Sequence, residues 1–363
     1  MSRTRTRRDS GPTLDRVSTT SPEHHPPSSS DIHNIPQGLD TRTLVRRGLV
    51  VVVAIVVLVL IALLAPGLGS LRTILERASP GWILLAIGLE VFSSLSYVAM
   101  FRPAFCPRMS WRTTLEIALS EVAVGSIVPA SGAGGVALGA WILNRSGMPG
   151  AVVARRSVAF LLVKSSVNFV AVAILGVIMW LGVGPDLSPA LTILGSVISV
   201  GVLIGVPVVA RMLARAGARG GKKLRAVAVA VYDGTTEAGH LLKRRNPLLI
   251  GGAIGYWLFD NLVLLATFHA FGLSPPVVIV LMAYLVGQIG GILPLPGGIG
   301  GIDGGLIGTL IVYGIPPAEA TAAVLAYRVV LFWIPLVMGI PAWFFLRRGL
   351  DDIAREDLKV VDC

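Results

Sequence analysis

The chain has 363 residues, of which 54% are hydrophobic and 14% charged, with a mean hydropathy of +0.77. Soluble domains carry roughly 25% charged residues. The blocks Leu49 to Ala65, Trp82 to Phe101, Ser157 to Leu181, Leu191 to Ala210, Pro247 to Phe271 and Ala318 to Leu346 reach or approach the length that crosses a hydrocarbon core of about 30 Å. Soluble folds are excluded, and the composition predicts an all-α, polytopic membrane protein. The formal charge of +11 does not signify nucleic acid, because Lys and Arg sit mainly in the joints between apolar blocks, where topology signals belong. The two cysteines, Cys106 and Cys363, form no CxxC and supply no zinc site.

Residues 1–44 are rich in Ser, Thr, Pro, Arg and His without apolar periodicity, and read as a disordered, basic cytoplasmic tail. A first span is expected over 48–65, entered from the side of Arg46 and Arg47. Basic residues then alternate between joints. Arg102, Arg108 and Arg112 follow the second span, and Arg145, Arg155 and Arg156 precede the third. The joint 211–246 carries nine Lys and Arg, from Arg211 to Arg245, and Arg347 and Arg348 follow the last span. The joints 182–190, 271–277 and 313–319 hold none, and only Arg72 and Arg77 depart from the alternation. The positive-inside rule therefore places both termini in the cytoplasm, and a multi-pass protein of the cytoplasmic membrane is expected.

Two apolar segments, 112–145 and 277–314, break at Pro and Gly clusters: Pro129-Ala-Ser-Gly132-Ala-Gly134-Gly135 and Pro294-Leu-Pro296-Gly297-Gly298-Ile-Gly300-Gly301. Each is either a pair of short spans or a re-entrant hairpin. Irregular backbone at membrane depth is tolerated only inside protein or beside a watery cavity, so these breaks are the expected working parts. A shift of 167 residues superposes Pro129 on Pro296, Gly134 on Gly301, Leu143 on Leu310, Gly147 on Gly314 and Pro149 on Pro316. With the charge alternation, this predicts an inverted repeat with halves near 80–181 and 247–346, an architecture used for alternating access. The expected organisation is six full spans plus two broken or re-entrant hairpins (or eight or more helices) within 45–348, and a cytoplasmic tail over 349–363.

Ionisable residues inside spans are costly and face the interior or a cavity. They are Glu90, Glu116, Glu121, Lys164, Asp260, Asp303 and Arg328, with His269 near a span end. Each half supplies an acid from its hairpin and a base from the next helix, Glu121 with Lys164 and Asp303 with Arg328. A guanidinium fork suits phosphate, and half-helix N-termini add N–H donors. The candidate substrate-binding set is Arg328, Asp303, Pro296, Gly297, Gly298, Gly300, Gly301, Tyr327, Pro129, Gly134, Glu121 and Lys164, with Glu90 and Asp260 as gating or proton candidates. Competing structural readings are an Asp303–Arg328 lock, a snorkelling Lys164, a solvated Glu116, and Glu90 and Asp260 bonded to neighbouring Ser and Asn. The GxxxG runs Gly135–Gly139 and Gly301–Gly305 read as close helix packing. The joint 211–246 reads as an amphipathic helix on the inner leaflet, attracted to anionic lipid or merely fixing topology.

The run Leu293-Pro294-Leu-Pro296-Gly297-Gly298-Ile-Gly300-Gly301-Ile-Asp303, with Tyr313-Gly314-Ile-Pro316, Ala326-Tyr327-Arg328, Phe332-Trp333-Ile-Pro335 and Gly339, resembles the signature of the lysylphosphatidylglycerol synthase transmembrane-region family. That family is the flippase-like membrane part of multiple peptide resistance factors, also found as stand-alone proteins. Val128-Pro129-Ala-Ser-Gly132-Ala-Gly134-Gly135 and Leu143-Asn-Arg145-Ser-Gly147 are similar to its first-half motif. The resemblance spans about residues 45–348. The family's acid after the Pro/Gly run is matched by Asp303 in the second half, whereas Gly135 and Val136 hold that place in the first. Relatives with a synthase domain aminoacylate lipid from tRNA; with 15 residues after Arg348, this chain is not expected to do so.

The leading expectation is a flippase-like protein that translocates an anionic phospholipid or a polyprenyl-phosphate-linked lipid, and is not an enzyme. The alternative is an accessory membrane subunit that anchors or regulates a lipid-modifying or glycosyl-transferring enzyme; a membrane-embedded transferase with an Asp or Glu base is a third reading. Expected partners are membrane lipids, anionic ones foremost, and a lipid-modifying enzyme. No nucleic acid, cofactor or metal is expected.

Overall fold

A computed structural model of the chain describes residues 76–127, 133–182, 189–217, 222–289 and 300–353, with isolated positions between 45 and 74. The described residues form helices and no strands: α1 (Pro80–Phe105), α2 (Trp111–Ile127), α3 (Ala133–Arg145), α4 (Gly150–Trp180), α5 (Pro189–Gly217), α6 (Lys222–Lys243), α7 (Pro247–Ala270), α8 (Val277–Ile289), α9 (Gly301–Val312) and α10 (Pro317–Ile353). Five of these, α1, α4, α5, α7 and α10, are long and apolar enough to cross a membrane. They match five of the six expected spans, and the protein is an all-α polytopic membrane protein. The span expected over 48–65 and both expected tails lie mostly or wholly outside the described residues.

The two broken segments are pairs of short helices, α2 with α3 and α8 with α9, and each pair packs on itself. At 1.5 Å per residue, the arms of 12 and 13 residues reach about 18–20 Å, short of a core about 30 Å thick. The described arms of the second hairpin therefore do not span singly.

Helix ends recur at the spacing seen in the sequence. Proline opens α1 at Pro80 and α7 at Pro247, where its missing N–H and fixed φ suit a first turn. Asn246 caps α7, its side-chain oxygen accepting from the amides of Leu248 (3.0 Å) and Leu249 (3.3 Å). Gly147 and Gly314 follow α3 and α9 with φ of +90° and +88°. The amide of Met148 donates to the carbonyl of Leu143, and that of Ile315 to Leu310, both at the six-residue span of a Schellman cap. Leu143, Gly147 and Pro149 thus match Leu310, Gly314 and Pro316 because the same cap, followed by the same proline, ends each hairpin.

Helices α1 and α7 run antiparallel. Trp82 meets His269 near one end, Phe92 lies tilted against Phe259 with ring centroids 5.6 Å apart, and Ser96 and Met100 meet Gly252 near the other. Phe92 and Phe259 are 167 positions apart, so the crossing brings matched residues of the two segments together. Lipid tails are as apolar as Leu, so contact between such helices depends on close packing by small residues. A Cβ on Gly252 would lie 2.7 Å from the Met100 nitrogen and the Ser96 carbonyl oxygen, both backbone. Gly339 of α10 makes a similar approach to Leu119 and Ala123 of α2. The apolar core, with Ala86, Leu264, Phe268, Ala283, Leu306 and Val324, joins α1 and α7 to α8, α9 and α10. Helix α6 lies against α4 and α5, its Glu237 paired with Arg155 of α4 at 3.6 Å.

The crossing makes neighbouring glycines unequal. Gly252→Ala should destabilise the detergent-solubilised protein by about 1–3 kcal/mol, because backbone cannot yield to the new methyl. Gly251→Ala, with nothing within 4 Å, should leave the melting temperature unchanged or raise it, alanine being the better helix former by ~1 kcal/mol. Equal falls in both variants would contradict the close crossing.

Candidate functional site: a buried polar core

Helix α1 buries Glu90, Ser93, Ser94 and Tyr97 along one helical stripe. Helix α7 buries Asp260 and Asn261. The antiparallel crossing turns these polar faces toward each other, and the Ser93 hydroxyl donates to the Tyr256 carbonyl of α7 at 3.3 Å.

Asp260 is bracketed by two tyrosines. The hydroxyl of Tyr327 on α10 donates to Oδ1 at 2.9 Å, and that of Tyr284 on α8 donates to Oδ2. The carboxylate thereby ties three helices, and its partners are tyrosines rather than the Ser and Asn neighbours considered from the sequence. Beside Tyr327, the Arg328 guanidinium donates from Nε to Asp303 Oδ1 at 2.7 Å, and Nη2 donates to the same oxygen. Asp303 Oδ2 accepts the Gly300 amide at 3.1 Å, capping the N-terminus of α9. Asp303 is 1% exposed and Arg328 7%, so the expected pair forms and is buried. Gly300 takes φ +90° at this cap, a backbone region open to glycine at little steric cost.

The first half differs from expectation. Glu121 and Lys164 form no ion pair within 4.0 Å. Glu121 Oε2 instead accepts the Tyr97 hydroxyl at 2.8 Å. Lys164 places Nζ over two rings, 5.7 Å from the centroid of Tyr97 and 5.4 Å from that of Tyr256, where the quadrupole of the ring face attracts a cation. The two groups still sense one another electrostatically. Glu121 lies against Gly135 and Gly139 of α3, where a Cβ at either position would collide with it. The first GxxxG run therefore makes a notch for Glu121 inside the hairpin. In the second hairpin, Gly305 faces Gly287, its Cβ position 3.3 Å from the Gly287 Cα.

These contacts make one polar chain. It runs from Glu121 through Tyr97, Lys164 and Tyr256 to Asp260, then through Tyr327 to Arg328 and Asp303. Asp260 is within electrostatic range of Glu90, Lys164 and Arg328. The Tyr97–Glu121 and Asp260–Tyr284 bonds each link a long helix to the first arm of the next hairpin, 24 residues on, with donor and acceptor exchanged. Glu90 Oε2, Glu121 Oε1, Ser94 Oγ and Asn261 Oδ1 are buried without a protein hydrogen-bond partner. Such atoms cost about 1–3 kcal/mol each.

Of the predicted site residues, Arg328, Asp303, Gly300, Tyr327 and Asp260 meet in one cluster, and Glu121, Lys164 and Glu90 join through the tyrosines. Gly301 opens α9, and Gly134 lies in the first turn of α3. Pro129, Pro296, Gly297 and Gly298 lie outside the described residues. Glu116 pairs with the exposed Arg112 at 3.0 Å and takes no part. Tyr97, Tyr256 and Tyr284 were not singled out from the sequence. A hydroxyl in an apolar helix was a usable signal, since it must find a partner when buried.

The buried pair predicts a coupled response. Asp303→Asn removes the carboxylate beside a buried guanidinium, and Arg328→Met leaves the carboxylate alone; each should cost ~3–5 kcal/mol. The double variant Asp303→Leu/Arg328→Met should be more stable than either, measured by thermal unfolding. Additive losses would contradict direct pairing.

Residues 48–339 match the family described as lysylphosphatidylglycerol synthase TM region. A UPF0104 membrane protein of Methanothermobacter thermautotrophicus is 24% identical over 332 residues, covering 82% of this chain and 95% of the relative. A second match to a UPF0104 membrane protein from that organism is 35% identical over 91 residues, 25% of this chain and 26% of the relative. One from Methanocaldococcus jannaschii is 30% identical over 96 residues, 26% of this chain and 29% of the relative. With the matched region spanning the long helices, both hairpins and the polar core, the chain belongs to the lysylphosphatidylglycerol synthase transmembrane-region family.

Proposed function

We propose that the protein translocates a lipid with an anionic headgroup, a phospholipid or a polyprenyl-phosphate-linked lipid, across the cytoplasmic membrane by alternate opening of two inverted halves. The observation that carries this reading is the Asp303–Arg328 pair, buried among membrane-length helices at the N-terminus of a hairpin arm. Charges there are expensive, and their default role is in a substrate or ion path. The inverted relation is supported by the helix starts, the matched Schellman caps and the antiparallel contact of Phe92 with Phe259. Under the charge rule both termini face the cytoplasm.

The pair is the gate in this mechanism. Asp303 occupies two places that suit a phosphate, the guanidinium fork of Arg328 and the N-terminus of α9. A headgroup phosphate competes for both, and its arrival releases the second hairpin from α10. Gly300 and Gly301 present backbone without side chains, and Pro296, Gly297 and Gly298 precede them in the chain. On the other half, Glu121 and Lys164, with Gly134 in the first turn of α3, supply the opposing polar groups, and Pro129 precedes Gly134 in the chain. Glu90, Glu121, Asp260 and Asp303 face only Lys164 and Arg328 as cations within the chain described above. An anion enters more readily if carboxylates take up protons, and the unpartnered oxygens of Glu90 and Glu121 are the candidate positions.

The test is headgroup accessibility of a labelled phosphatidylglycerol and a labelled polyprenyl phosphate in proteoliposomes. Wild type should move at least one of them, and Arg328→Ala should slow it at least tenfold while remaining folded. Asp303→Asn should keep lipid binding but lose turnover, because the competitor that closes the gate is gone. If wild type moves neither lipid, translocation is rejected. Co-purification of a lipid-modifying or glycosyl-transferring enzyme would then establish the accessory-subunit reading.

A further inference from the structure

A second place for phosphate lies well apart in the chain from the polar core, between the end of α5 and α6. A cavity of about 270 Å³ opens there, with Pro207 and Arg211 of α5 on one wall and Tyr232, Thr236, His240 and Lys243 of α6 on the other. The α6 residues follow the 4-4-3 spacing of a single helical stripe. Arg211, His240 and Lys243 bring three basic side chains to the cavity, and no carboxylate lines it among the described residues. Glu237 of α6 is paired instead with Arg155 of α4 at 3.6 Å. Beside Arg211, α5 exposes Ile204, Val208 and Met212 at 64%, 48% and 61%, an i, i+4, i+8 stripe along a membrane-length helix. A basic cup thus adjoins an apolar track.

We infer that this cavity binds the phosphate diester of an anionic phospholipid, with an acyl chain laid along Ile204, Val208 and Met212. A free phosphate would use the cup but not the track, and a zwitterionic lipid would use the track while bringing its own cation into a basic cup. The basic joint lies on the cytoplasmic side by the charge rule, where anionic headgroups attract Lys and Arg. The occupied site holds α6 against α5 and anchors the connection between the two halves to one leaflet. It uses none of Arg328, Asp303, Glu121 or Lys164, so it stands or falls independently of the translocation reading.

Native mass spectrometry of the full chain, delipidated in detergent, tests this. The probes are dioctanoyl-phosphatidylglycerol, dioctanoyl-phosphatidylcholine and inorganic phosphate. Wild type should hold one phosphatidylglycerol at least tenfold more tightly than Arg211→Gln/Lys243→Gln, which removes two positive charges from the cup. Arg215→Gln/Arg225→Gln removes the same charge from the same joint outside the cup and should bind as wild type does. Equal weakening in both double variants would reduce the effect to general charge and overturn the site. So would equal binding of phosphatidylcholine, and inorganic phosphate displacing the lipid at equal concentration would assign the cup to the free anion. All substituted cup and control residues are surface-exposed, and unchanged melting temperatures check that the folds are intact.

Discussion

The close crossing of α1 and α7 is the constraint from which the rest of the polar core follows. In hydrocarbon, two helices gain little from being merely apolar. Gly252 removes a side chain that would hold the backbones apart. At that distance the face carrying Glu90, Ser93 and Tyr97 meets the face carrying Tyr256 and Asp260, and their polar groups become one another's surroundings. The hairpins then attach where the long helices present hydrogen-bonding groups. Tyr97 holds the first through Glu121, and Asp260 holds the second through Tyr284. Moving α1 against α7 would disturb both attachments together, which gives the two hairpins a shared mechanical reference.

Much of the framework is legible in the sequence because membrane length is a one-dimensional property. Five apolar blocks became five long helices near their expected positions. The recurrence of Leu143, Gly147 and Pro149 as Leu310, Gly314 and Pro316 was visible as punctuation, and its cause is a helix cap repeated bond for bond. Asp303 with Arg328 was also legible, since a buried acid and base of one repeat half must neutralise each other or a ligand. Glu121 with Lys164 followed the same logic and did not pair. Tyr97 lies nearer to Glu121, and Lys164 rests over aromatic faces instead. A charge inventory omits tyrosine, which reads as core until its hydroxyl must be satisfied. The cup at α6 was half legible: amphipathic helix α6 could be read, but Arg211 and Pro207 reach it only through the packing of α5 on α6.

Glycine serves two purposes in the hairpins. Gly135 and Gly139 open the notch that admits Glu121, and Gly305 meets Gly287 where a side chain would part α8 from α9. At Gly300 the backbone turns through positive φ so that Asp303 can close on its own helix terminus. These glycines thereby set how closely the arms pack and how an acid is aimed at Arg328. This division explains why the second hairpin, rather than the first, carries the buried ion pair: position 136, the counterpart of Asp303, is Val136.

The proposed alternating mechanism requires the matched halves to point in opposite directions through the membrane. Pro149 and Pro316 are exposed, matched residues at the two hairpin ends. Single cysteines at these positions, in a background with Cys106 and Cys363 replaced by Ser, can be labelled with an impermeant maleimide in right-side-out and inside-out vesicles. With inverted halves, Pro149→Cys should react only from the cytoplasmic side and Pro316→Cys only from the opposite side. Labelling of both from the same side would contradict the inverted architecture and the alternating mechanism built on it.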